Sequence, residues 1–70
     1  MQSVAEGMER VAAVADRVGV NELAREAGMP LSTVKSFRKR GWSLQSLPNC
    51  EKLIAAADRI ERALVKAQRA

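Results

Sequence analysis

Apolar residues recur along this 70-residue chain at spacings of three and four. Nowhere do they alternate with the period of two that a half-buried strand requires, so the pattern predicts helices throughout. Val4, Met8, Val11, Ala15 and Val18 mark one face of a first helix over residues 3–18, with Glu6, Glu9, Arg10, Asp16 and Arg17 on the other side and Gly19 as its stop. A short second helix is expected over 21–27, capped by Asn21, with Glu22 in its first turn and Gly28 after its end. Leu23, Ala24 and Ala27 form its inward face. A third begins at Pro30 or Leu31 and runs to Arg40, before Gly41. Its Val34 and Phe37 face inward, which leaves Ser32, Thr33, Lys35, Ser36, Arg38 and Lys39 outside. Residues 42–48 read as a loop with one helical turn around 44–47. Pro48, Asn49 and Glu51 then signal a long last helix over 49–69, along which Leu53, Ala57, Ile60, Leu64 and Ala67 repeat. The expectation is a compact all-α fold of five helices (four to five), with 1–70 as a single domain.

Composition narrows the class. With 47% apolar residues the chain can build one core, though a core this small leaves little stability to spare, and a partner chain would add to it. No apolar run approaches the ~20 residues that cross a bilayer. The start of the chain carries Glu6 and no basic segment, unlike a signal peptide. Cys50 is the sole cysteine and has no internal disulfide partner, which fits a reducing, cytoplasmic setting. The net charge of +4 is unevenly spread. Residues 1–26 hold three basic and five acidic side chains, and residues 51–70 five basic and three acidic. Residues 27–50 hold Lys35, Arg38, Lys39 and Arg40 with no acid, a concentrated positive field that attracts polyanions.

Catalysis finds no foothold. There is no His or Tyr, the cysteine lacks a neighbouring base, and no Cys/His cluster or glycine-rich loop offers a metal or nucleotide site. No cofactor and no small-molecule ligand is expected.

The segment over residues 20–39 reads V-N-E-L-A-R-E-A-G-M-P-L-S-T-V-K-S-F-R-K. Two short helices joined by three or four residues can cross at a large angle if the crossing point is small and the turn permits positive φ. Ala24 and Gly28 meet those demands, and Leu23, Met29, Val34 and Phe37 join the pair to the core. The segment resembles the helix-turn-helix of the lambda-type repressor and Cro superfamily of phage and bacterial transcription regulators. Leu23-Ala24, Ala27-Gly28-Met29, Ser32-Thr33, Val34 and Phe37 carry the resemblance. It implies a central helix-turn-helix at about 20–40, with the helix over 31–40 entering a major groove of double-stranded operator DNA, and a homodimeric repressor. Two departures stand out: Pro30 replaces a small polar cap, and Arg38-Lys39-Arg40 replaces a stretch in which many members carry an acid. The second implies stronger contacts to the DNA backbone.

Carried over residue by residue, the resemblance makes Leu31, Ser32, Lys35 and Ser36 base-reading. Asn21, Thr33, Arg38, Lys39 and Arg40 become phosphate contacts. The last helix, 49–69, is a dimerisation candidate through Ile60, Leu64, Val65 and Ala67, with Ile60 also counted in the core. Asp58 and Arg62 are spaced to pair on its surface. Trp42 reads first as a cover for the core and second as a nucleic-acid stacking residue. The chain is then either a small stand-alone regulator or the DNA-binding part of a larger repressor. The rival is a helical protein-interaction adaptor, antitoxin- or anti-activator-like, that uses the basic 31–40 face. A non-specific architectural DNA binder is a weaker one.

Overall fold

A computed structural model describes residues 3–44 and 46–69, with the side chain of Arg69 left out of the description. The described residues form four α-helices and no strand: α1 (Val4–Val18), α2 (Val20–Ala27), α3 (Leu31–Lys39) and α4 (Leu47–Arg69). The helical class is as expected, and the count is four. Leu47 opens α4 two residues before Asn49, and the Cys50 N–H donates to the Ser46 carbonyl at 2.8 Å. The region read as a turn thus leads straight into the last helix, and Gln45 within it lies outside the described residues.

Ser3 caps α1, its Oγ accepting from the Glu6 N–H at 3.2 Å. A serine followed three residues later by Glu is the spacing of a capping box. At the other end one residue serves two helices: the Gly19 N–H donates to the Ala15 carbonyl, and its own carbonyl accepts from Leu23. Gly19 therefore stands at the N-cap of α2. Asn21, expected there, lies inside the first turn, because the chain reverses at Gly19 and Val20 is already helical.

All four helices contribute to the core. α1 and α4 run side by side in the same direction: Gly7 meets Ile54, Arg10 pairs with Asp58 and Glu61, and Val18 and Leu64 share one groove. α2 packs against α4 as well, with Glu26 beside Arg59. Val11, Val14, Leu23, Val34 and Leu53 are fully enclosed. α1 buries a wider stripe than the five residues expected, because α2 and α4 both press on it. Gly7 and Val14 are buried there, whereas Val4 and Val18 at its ends are only partly so. Ile60 is 8% exposed and belongs to the core of the single chain, so of the dimerisation candidates it has no surface to offer. Asp58 and Arg62 pair as their spacing predicts, at 3.5 Å. Among the described residues no helix is long and apolar enough to cross a membrane.

Candidate nucleic-acid interface

The α2–α3 connection is three residues long, Gly28, Met29 and Pro30. Gly28 takes φ +67, ψ 32, and a paired closure follows from it. The Met29 N–H reaches the Ala24 carbonyl at 3.1 Å and the Gly28 N–H the Arg25 carbonyl at 3.3 Å. This is the Schellman arrangement, which satisfies the last carbonyls of α2 while turning the chain sharply. Met29 is buried directly after it, which fixes where α3 starts. Pro30 holds the N-cap of α3 and its carbonyl accepts from Thr33 and Val34. No side chain caps this end, and its first turn contains no acid.

α3 is anchored from one side. Val34 and Phe37 are buried, and among the helices its principal neighbour is α2. A second Schellman closure ends it, with Gly41 donating to Arg38 at 3.0 Å and Trp42 donating to Phe37 at 2.8 Å. Trp42 adopts φ +61, rare for a bulky residue, and its partly buried ring packs against the core. It covers the core, the first of its two expected roles.

The opposite face of α3 is open. Ser32, Lys35, Ser36 and Lys39 recur at three- and four-residue steps along it, and all four are exposed. Lys39, expected as a phosphate contact, thus shares the central stripe with three of the expected base-reading residues. Leu31, at 36% exposure, and Arg38 flank the stripe on one side; half-buried Thr33 and exposed Arg40 flank it on the other. Asn21 is exposed in the first turn of α2.

Electrostatics separates α3 from the rest. The ion pairs among the described residues that tie the helices together join α1 and α2 to α4: Arg10 with Asp58 and, at 3.6 Å, Glu61, and Arg59 with Glu26 at 2.7 Å. Lys35, Arg38 and Lys39 enter no ion pair among the described residues. Their charge faces outward without local neutralisation.

Two residues of this face lie outside the expected set. A shallow groove is lined by Ser32, Thr33, Ser36 and Phe37 from α3 together with Ser46, just before α4, and Asn49 in its first turn. Residue spacing carried no signal for Ser46 and Asn49, because only the packing of α4 brings its first turn beside α3. The groove is neutral and rich in hydrogen-bonding groups, in contrast to the cationic stripe beside it. Cys50 is buried immediately after it, as a packing residue. Among the described residues no group of acidic and cysteine side chains is placed to hold a metal ion.

Compared with known proteins, the chain matches no family model, no curated protein and no solved structure.

Proposed function

We propose that this chain is a sequence-specific double-stranded DNA-binding protein, a repressor-like regulator that inserts α3 into the major groove. In this role α2, the three-residue turn and α3 act as a helix-turn-helix. The observation that carries the proposal is the exposed, acid-free stripe of Ser32, Lys35, Ser36 and Lys39 on a helix whose other side is anchored by Val34 and Phe37. A short helix held from behind can enter a groove without disturbing the core. Hydroxyl and ammonium groups in such a row match base-edge acceptors and donors, with lysine suited to guanine O6 and N7. Arg38 and Arg40 flank the row and suit phosphates, which position the protein and read no sequence. The uncapped, acid-free start of α3 adds amide donors and the positive end of a helix dipole.

One α3 covers only a few base pairs, so we further propose action as a homodimer on a palindrome. Its half-sites would be separated by one helical turn, ~34 Å. The proposed location is the cytoplasm, on DNA.

Selection from a random duplex library at near-physiological salt tests the proposal. A palindromic enriched motif that changes when Lys35 or Ser36 is replaced is the expected result. Weak binding without an enriched motif, lost as salt rises, would overturn it in favour of an architectural binder. No DNA binding at all, together with capture of an acidic protein lost on charge reversal at Arg38 and Lys39, would favour the adaptor.

A further inference from the structure

Ser46 stands just before α4, where it could cap the helix by accepting from the Asn49 N–H, as Ser3 accepts from Glu6 at the start of α1. Among the described residues, however, neither the Ser46 hydroxyl nor the Asn49 carboxamide makes a hydrogen bond. Both residues are half-buried, and both line the groove that Ser32, Thr33 and Ser36 border from α3. Ser32 and Ser36 belong also to the exposed stripe of α3, so the groove opens onto that stripe. A carboxamide without a partner therefore stands beside the reading face, on a different helix.

We propose that Asn49 is a base-reading residue supplied from outside α3, its carboxamide meeting the edge of an adenine beside the base pairs met by Ser32 and Ser36. This role rests on the operator reading and adds to it a specificity determinant that α3 does not contain. α3 holds no Asn or Gln, the side chains whose paired donor and acceptor match adenine N7 and N6. Asn49 brings that chemistry to the same face. Three features favour a base edge over a phosphate. No cation lines the groove. Pro48, in the first turn of α4, has no N–H, so this helix start is short of the amide donors with which helix N-termini hold phosphate. A phosphate oxygen only accepts, whereas a base edge uses both the donor and the acceptor of a carboxamide.

Selection from the random duplex library, run on the wild-type chain, Asn49→Ala and Lys35→Ala, is the test. The wild-type motif should contain an adenine that Asn49→Ala alone makes degenerate, with the other positions kept. On that motif, an adenine analogue with carbon in place of N7 should weaken wild-type binding about tenfold. Binding by Asn49→Ala should not respond to the analogue. Should Asn49→Ala fail to fold by circular dichroism, Asn49→Asp decides. It keeps the shape of the side chain, and an acid in the first turn of a helix is favourable. Its preferred base should shift from adenine to cytosine, whose amino group donates to a carboxylate. An equal loss on every sequence from Asn49→Ala would make Asn49 a phosphate contact and overturn the assignment. Unchanged affinity and motif in Asn49→Ala or Asn49→Asp would make it a packing residue and overturn it too. In either case a motif that still changes with Lys35→Ala leaves the operator proposal standing, whereas no enriched motif from the wild-type chain removes both.

Discussion

Arg59 of α4 grips α2 by its last turn: its Nε donates to Glu26 Oε1 at 2.7 Å, and its Nη2 donates to the Glu26 backbone carbonyl at 2.8 Å. One guanidinium thus engages a side chain and one of the carbonyls that a helix end leaves without an intrahelical partner. It does so one residue before α2 ends, just ahead of the Gly28 turn. The tie spans 33 residues of sequence and bears on the direction in which α3 leaves the core.

Replacing Arg59 with Ala should cost little global stability. Its side chain is 51% exposed and that of Glu26 38%, so solvent screens the charge pair, and about 1 kcal/mol or less is expected. The local effect should be larger. Amide hydrogen exchange at Gly28 and Met29 should accelerate more than exchange at Leu23; equal acceleration would show that Arg59 does not brace the turn.

Gly7 lets α1 approach α4 closely. A Cβ built there would lie 2.5 Å from Ile54 Cδ1 and 2.8 Å from its Cγ1. Gly7→Ala should therefore destabilise the chain even though alanine in a helix interior is favoured by ~1 kcal/mol over glycine. Ile54→Val removes the nearest methyl. A double-mutant cycle by urea unfolding should show that Ile54→Val is harmful alone and helpful beside Gly7→Ala. Additive effects would place the clash elsewhere.

At Gly28 the demand is conformational. Its φ of +67 is left-handed, and nothing lies within 4 Å of a built Cβ. Gly28→Ala should cost about 1–2 kcal/mol through the backbone alone, and Gly28→Asn less, since Asn tolerates this region. Thermal unfolding of the pair gives the order. An equal loss for both would point to an unseen steric conflict.

On α3, the two kinds of cation contact should separate in DNA binding. Arg38→Ala should weaken binding to every sequence alike and lower the salt slope by about one. Lys35→Ala and Ser36→Ala should instead change which bases the selected motif prefers. Lys39, central in the exposed stripe, should behave like Lys35. A uniform loss from Lys39→Ala would return it to the phosphate-contact role expected from the resemblance.

The spacing of apolar residues determined the helical class, the positions of α1 to α3 within a residue or two, and the inward placement of Leu23, Val34, Phe37 and Leu53. It also marked out the exposed, acid-free face of α3. Each of these follows from local geometry, since helix period and glycine conformation act within a few residues. Tertiary structure decided the rest. How wide a stripe α1 buries depends on how many helices press on it, so Gly7 and Val14 became core only once α2 and α4 were packed. The Arg10–Asp58 pair, 48 residues apart, and the Arg59–Glu26 tie have no signature in spacing. The same holds for the groove that brings Ser46 and Asn49 beside Ser32 and Ser36. Val4 and Val18 carry the point furthest: they share the periodic apolar face of α1 with Met8 and Val11, yet they are only partly buried. Periodicity ranks which side of a helix is apolar, whereas burial depends on where the neighbouring helices lie.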